Sequence, residues 1–182
     1  MPFALSLDSV AALFRKLERE SYRAFHTRSA THKADHFFNF CVTAHAMRDY
    51  CLEHLGKVTA TDKQPFHELW NKSPTLVATM EIANLSKHFV LRVPKTKSLK
   101  IPATQTVRIR KSRFVDIYVD PAGRHRLVRV EHADVSVTLS DGTILLMHQF
   151  THEVMEYWRT YLAKHGIRLR RQPLTRLAGS GT

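Results

Sequence analysis

The spacing of apolar residues changes from helical to strand-like midway along the chain, and this change limits the folds available to it. Up to about residue 91, apolar residues recur at intervals of three and four, the period of an α-helix. From Thr104 to Met147 they alternate with polar residues, as in strands with one face in water. After Phe150 the helical period returns. The sequence therefore predicts an α+β protein: an N-terminal helical bundle, an antiparallel β-meander and a C-terminal amphipathic helix.

Four helices are predicted before the change of period, and their ends carry the usual signals. Gly56 is a natural end for the second helix. Thr61 and Asp62 belong to a capping-box pattern before the third helix, and Ser73-Pro74 is a cap followed by proline at the first helical position of the fourth. The predicted helices cover residues 7–25, 31–55, 61–70 and 74–91.

The middle of the chain predicts a meander of four or five strands. Asp141-Gly142 is a strong hairpin signal, and residues 121–124 form a second turn. The predicted strands cover residues 104–110, 114–120, 125–131, 134–139 and 143–147. A last helix over 150–164 carries large apolar residues at helical spacing and is expected to pack on the meander. The predicted domains are a bundle over 1–93, the meander with its closing helix over 94–166, and a basic, flexible tail over 167–182.

Positive charge is concentrated in two parts of the chain. The formal net charge is +12, and the pI is near 10.1. Between Arg92 and Arg129 there are eleven lysines and arginines against two acids, and from Lys164 onward there are five cations and no acid. Clustered positive charge attracts polyanions, so the pattern favours nucleic-acid binding. The alternative is a solvated face that keeps the protein soluble.

Several classes are not expected from the sequence. The N-terminus lacks the basic and apolar segments of a secretory signal, and no apolar run is long enough to span a membrane. Cys41 and Cys51 lie ten residues apart in one predicted helix, about 15 Å along its axis, too far to form a disulfide. Two reduced thiols fit a cytoplasmic protein. His32 and His36 lie four residues apart, a spacing at which two histidines of one helix could bind a metal ion. Asp35, the nearest carboxylate, lies off their face of the helix. Neither a metal nor a cofactor is therefore predicted.

The candidate nucleic-acid contacts are arginines and lysines of the meander and the tail. Alternation places Arg108 and Arg110 on one face of a strand, with further arginines on the next strands. A meander with one apolar face would leave these cations in water as a basic sheet surface. The predicted contacts are Arg108, Arg110, Lys111, Arg113, Arg124, Arg126, Arg129, Arg168, Arg170 and Arg171.

A second candidate site lies where the second and fourth helices are expected to meet. Arg48 falls on an apolar stripe of the second helix, and a buried arginine needs a partner. Glu81, Asn84 and His88 lie along one stripe of the fourth helix, so Arg48 is predicted to pair with Glu81, with His45 close by. The cluster could fix the register of two helices, or it could supply an acid or base and a cation for catalysis.

The segment Phe-Phe-Asn-Phe-Cys-Val-Thr-Ala-His at 37–45, with Asn-Leu-Ser-Lys-His at 84–88, resembles the HEPN superfamily of small bacterial helical-bundle proteins. The resemblance covers about residues 7–91. Many HEPN proteins are metal-independent RNases or toxins, in which an arginine is followed by four to six residues and then a histidine. The stretch from Arg48 to His54 has that form. The resemblance implies a bundle fold and, for an RNase, catalysis by His88 or His54 with Arg48.

Three functions stay open at this stage. The first is a bacterial nucleic-acid-binding protein, RNA included, acting as a subunit of a ribonucleoprotein, a defence system or a regulatory system. The second is a metal-independent RNase or toxin of HEPN type. The third is a non-catalytic module that binds other proteins, with a homodimer or a larger complex compatible with all three.

Overall fold

The chain forms a helical body joined to a long antiparallel β-hairpin. The computed structural model describes residues 7–85 and 102–169, and within these ranges it contains five helices and a three-stranded sheet. The α+β class, with helices on both sides of the sheet in the sequence, is confirmed. The elements are α1 (Val10–His26), α2 (Ala30–His54), α3 (Ala60–Trp70), α4 (Pro74–Leu85), β1 (Thr104–Val119), β2 (His125–Leu139), β3 (Ile144–Leu146) and α5 (Met147–Lys164).

The ends of the helices follow local side-chain chemistry. Ser73 accepts a hydrogen bond from the backbone N–H of Leu76, which confirms the predicted cap of α4. The capping box of α3 consists of Thr59 and Asp62, so the prediction placed its first residue two positions too late. Gly56, at a φ of 65°, follows α2 as predicted. Residues 86–91, predicted to continue the fourth helix, lie outside the described residues.

The sheet has fewer and longer strands than predicted. The segments predicted as separate strands over 104–110 and 114–120 are one strand, β1, and those over 125–131 and 134–139 are one strand, β2. Their register runs without a break from Thr106 opposite Thr138 to Val119 opposite His125. The breaks predicted at residues 111–113 and 132–133 do not occur, because the ladder joins backbone groups and continues whatever the side chains are. The Asp141-Gly142 turn is confirmed, and it leads into the short β3.

One apolar core joins the helices to the base of the sheet. Phe37, Trp70 and Trp158 are fully buried in it, together with Val135 and Val137 of β2. The predicted apolar stripe of α5 is confirmed: Tyr157 is half-buried, and the other five residues are buried, namely Phe150, Val154, Trp158, Tyr161 and Leu162. Helix α5 therefore holds the body and the sheet together. Over the described ranges, no helix has the length and apolar character needed to cross a bilayer.

Candidate nucleic-acid interface

The outer part of the β1–β2 hairpin projects as an arm with no described side chain buried. We call residues 105–131 the arm; each of its side chains that the structure describes is exposed or half-buried. Burial resumes only at Asp134, where β2 enters the core. At about 3.4 Å per residue, the 16 residues of β1 span about 54 Å. The arm is therefore a long two-stranded ribbon whose two faces are largely open to solvent.

Seven of the predicted nucleic-acid contacts lie on this arm, and all seven are exposed. Residues opposite each other in an antiparallel ladder point to the same face, so the register divides the arm into an odd-numbered face and an even-numbered face. The prediction placed the cations on one polar face opposite an apolar one, but the structure has them on both faces. The cations are Arg108, Arg110 and Arg126 on the even-numbered face, Lys111, Arg113 and Arg129 on the odd-numbered face, and Arg124 in the turn.

Two of the seven cations are engaged in ion pairs. Arg113 lies 3.2 Å from Glu131 across the ladder, and both side chains are exposed. In the turn, the Arg124 backbone N–H and guanidinium both donate to the Asp120 carboxylate, which lowers the pKa of Asp120. The other five cations have no ion pair within the part of the chain that the structure describes. Their charges are available to an external anion.

Apolar residues crowd the outer end of the odd-numbered face. Val115, Ile117, Val119 and Leu127 are between 57% and 67% exposed, and Ile117 lies directly opposite Leu127. A contiguous exposed aliphatic patch on an otherwise polar surface is typical of a contact surface.

The aromatic residues of the arm lie on the even-numbered face and make internal contacts. Phe114 stacks on His132 with ring centroids 4.0 Å apart. The guanidinium of Arg28, in the link between α1 and α2, donates to the Tyr118 hydroxyl at 3.5 Å. The Phe114–His132 stack joins the two strands in the middle of the arm. The Arg28–Tyr118 hydrogen bond joins the outer part of the arm to the end of the helical body.

Within the described residues, the Arg48–Glu81 pair predicted at the centre of the α2–α4 cluster is not formed. Arg48 is half-buried and pairs with its neighbour Asp49 at 3.1 Å, not with Glu81. Glu81 is buried, and its carboxylate accepts a 2.6 Å hydrogen bond from the backbone N–H of Thr104 at the start of β1. The prediction of an Arg48–Glu81 pair was therefore wrong: a backbone donor satisfies the buried acid, and the arginine reaches the surface.

The other described members of that cluster are His45 and Asn84. The His45 ring is half-buried, 6.3 Å from the ring of Trp70, and Asn84 is half-buried on α4. His54 is exposed at the last position of α2. Of the predicted tail contacts, Arg168 is exposed. Three predicted site residues lie outside the described residues: His88, Arg170 and Arg171.

A different polar cluster, which was not predicted from the sequence, lies between α1 and α2. Glu20 is buried and accepts from Arg23 at 3.1 Å, and one of its oxygens lies 2.9 Å from the His36 ring. Lys16 donates to the Thr43 hydroxyl beside it. The sequence does place Glu20 on the apolar stripe of Leu13, Leu17 and Ala24. Because a buried acid needs hydrogen-bond donors, this position could have predicted the cluster.

A shallow cleft lies between α1 and α5. Its volume is about 380 Å³, and Tyr22, His26, His148, His152 and Arg159 line it. Arg159 already pairs with Glu156 at 2.7 Å and Glu18 at 3.3 Å, so its charge is balanced. Within the described residues, no group of three potential ligands could hold a metal ion. The cleft therefore offers a charged ligand fewer unpaired groups than the arm does.

No family model, curated protein or solved structure matches this chain.

Proposed function

We propose that the protein binds nucleic acid and that the arm is its principal contact surface. The observation that carries the proposal is the set of seven exposed cations on a projecting β-ribbon. Residues 105–131 contain seven lysines and arginines and three acids, a formal charge of +4 on an exposed two-stranded ribbon. The seven cations are all exposed, so a polyanion can reach them.

The distribution of the cations suits a phosphate backbone. Successive residues on one face of a strand are about 7 Å apart, and phosphates along one strand of B-form DNA are separated by a similar distance. Arg108 and Arg110 have this spacing on the even-numbered face, and Lys111 and Arg113 have it on the odd-numbered face. Guanidinium groups also bind phosphate oxygens in a bidentate manner. The arm therefore has cations at suitable intervals along both faces.

Catalysis is not part of the proposal. The predicted RNase would use His88 or His54 with Arg48; Arg48 pairs with Asp49, His54 is exposed at the end of α2, and His88 lies outside the described residues. The arm itself carries cations, aliphatic residues and one histidine, His125, and His132 follows directly after it, stacked on Phe114. Binding requires only the exposed charge that the cations supply.

The proposal is tested by measuring how affinity depends on salt. Fluorescence anisotropy with labelled DNA and RNA, from about 50 to about 200 mM KCl, should give a steep linear fall of log affinity with log salt. Replacing Arg108, Arg110, Arg126 and Arg129 with glutamine should reduce the slope by about 0.9 for each phosphate of B-form DNA that is no longer neutralised. These four residues are exposed and have no ion pair within the described ranges, so the fold should be unaffected.

A matched variant controls for net charge. Changing Arg19, Lys57, Lys63 and Lys72 to glutamine removes the same formal charge from the surface of the helical body, where these side chains are exposed or half-buried. This control should retain most of the affinity and of the salt slope. An equal loss in both variants would mean that net charge alone attracts the polyanion, and the arm would not be the site.

A further inference from the structure

We infer that the arm binds in the major groove of duplex DNA, with the apolar outer end of its odd-numbered face toward the base edges. The inference rests on the proposed function and specifies its ligand. It starts from the one feature that phosphate binding leaves unexplained, the exposed patch of Val115, Ile117, Val119 and Leu127. Aliphatic side chains gain nothing from phosphates, so a nucleic-acid ligand must offer them an apolar surface.

The surroundings of the patch match a groove. Arg129 lies opposite Val115 on the same face, and Arg126 and Arg124 lie beside the patch on the other face and in the turn. A two-stranded β-ribbon fits the major groove of B-form DNA, which is about 12 Å wide. In that position the aliphatic residues meet base edges, including the thymine methyl groups, and the cations at the margins reach the phosphates on both walls.

A single strand is a poorer ligand for this surface. Proteins bind single strands mainly by stacking bases on aromatic side chains. The arm has two Phe, Tyr or Trp residues, Phe114 and Tyr118, and both lie on the face away from the patch. Phe114 is already stacked on His132, and the Tyr118 hydroxyl accepts from Arg28. The exposed patch itself offers no ring to a base.

Duplex RNA is also a poorer ligand. The major groove of A-form RNA is too narrow and deep to be read by side chains, and its shallow minor groove displays 2′-hydroxyl groups. A patch made of valine, isoleucine and leucine cannot form hydrogen bonds with these hydroxyls. The side chains of the patch therefore favour the B-form major groove, where methyl groups are accessible.

A second copy of the chain does not suit the patch either. Stable protein interfaces bury about 800 Å² on each partner, and four partly exposed aliphatic side chains present much less than that. Two arms would also bring together two surfaces with a formal charge of +4 each. The charge of the arm is complementary to DNA and repels another arm.

The first experiment compares ligands and apolar variants. Anisotropy titrations use the full chain with duplex DNA, duplex RNA, single-stranded DNA and single-stranded RNA of matched length and salt. Wild type should bind duplex DNA most tightly. The double variant Ile117→Ser/Leu127→Ser should bind it at least about tenfold more weakly with an unchanged salt slope, because the change removes apolar surface and no charge. The control Val58→Ser/Leu69→Ser removes exposed aliphatic residues from the body and should bind as wild type does.

A second experiment tests the groove directly. Replacing thymine with uracil in a thymine-rich duplex removes only the C5 methyl group from the major groove. Wild type should bind the uracil duplex about fourfold more weakly for each methyl group that the patch covers, and Ile117→Ser/Leu127→Ser should not distinguish the two duplexes. Equal binding of both duplexes by wild type would overturn the major-groove assignment.

Other outcomes separate this inference from the proposed function. Wild type could bind RNA or a single strand more tightly than duplex DNA and lose that binding in the glutamine variant of the four arginines. That result would overturn the inference and leave the proposed function standing. Salt-dependent binding to none of the four ligands would overturn both. A wild-type dimer in sedimentation that dissociates in Ile117→Ser/Leu127→Ser would assign the patch to a second copy and overturn the inference.

Discussion

The Lys33 ammonium donates a 2.8 Å hydrogen bond to the carbonyl oxygen of Ala24 and so closes the C-terminal end of α1. A second bond, of 3.1 Å, goes to the carbonyl of Phe25. The last carbonyls of a helix have no donor within the helix and carry partial negative charge. Lys33 is only 1% exposed and has Asp134 of β2 near it. This lysine therefore links the end of α1, the first turns of α2 and the base of the sheet.

Removal of this lysine should destabilise the fold. Lys33→Ala leaves two buried carbonyls without their donor and opens a cavity, so we expect a loss of about 2–4 kcal/mol in the free energy of unfolding. Lys33→Met fills the space and should lose about 1–2 kcal/mol. Urea denaturation followed by circular dichroism measures both, with the exposed Lys72→Met as control. Wild-type stability in Lys33→Ala would show that the two bonds contribute nothing.

The same lysine predicts a dependence of stability on pH. Burial lowers the pKa of Lys33 below 10.5, and Asp134 partly opposes this. Between the folded-state pKa and 10.5 the unfolded chain holds the extra proton, so stability rises with pH through that window. The contribution of Lys33 to stability, measured against Lys33→Met, should therefore become more favourable as pH approaches 10.5 and less favourable as pH falls. A pH-independent difference in urea titrations would contradict this.

The different environments of Glu81 and Arg48 predict opposite results for two helix substitutions. Glu81→Ala leaves the buried N–H of Thr104 without an acceptor, and we expect a loss of about 2–3 kcal/mol. Arg48→Ala removes an ion pair with the exposed Asp49 and should cost less than about 1 kcal/mol. Thermal or urea unfolding of the two variants under one set of conditions compares them. A larger loss for Arg48→Ala would support the predicted cluster instead of the observed one.

The two cysteines should be unreactive in the folded protein. Both thiols are buried, and burial raises the pKa of Cys51 from 9.0 to about 12 and that of Cys41 further. A thiol reagent at neutral pH should therefore modify them only after unfolding, at a rate that increases with urea. Above pH 9 the unfolded chain loses these protons first, so the two thiols reduce stability as pH rises towards 12. Rapid labelling of native protein would contradict their burial.

The arm should exchange its backbone hydrogens faster than the base of the sheet. A two-stranded ribbon with both faces in water is only marginally stable, whereas Val135 and Val137 lie in the core. Hydrogen exchange should give low protection over 107–130 and high protection over 135–139. Binding of duplex DNA should raise the hydrogen-exchange protection of the arm more than that of the base of the sheet. Uniform protection along β2 in the unbound protein would mean that the arm is covered.

Local chemistry, read from the sequence alone, determined the class of fold and most of its elements. The change of apolar period predicted helices before residue 91 and strands after 104, and Ser73, Gly56 and Asp141-Gly142 marked real ends and turns. Each of these signals acts within a few residues, where sequence neighbours are also spatial neighbours. The exposure of the cations of the arm could also be predicted from the sequence, because no tertiary contact is needed to place a lysine or an arginine in water.

Tertiary structure decided everything that depends on which surfaces meet. Arg48 and Glu81 lie on helix faces that could bring them together. In the structure, the backbone N–H of Thr104, at the start of β1, donates to Glu81 instead. The breaks predicted at residues 111–113 and 132–133 are absent, because the partner strand continues the ladder through them. The burial of Lys33 likewise depends on how α1 turns into α2 beside β2. A buried polar group takes the nearest available partner in space, and periodicity along one element cannot identify that partner.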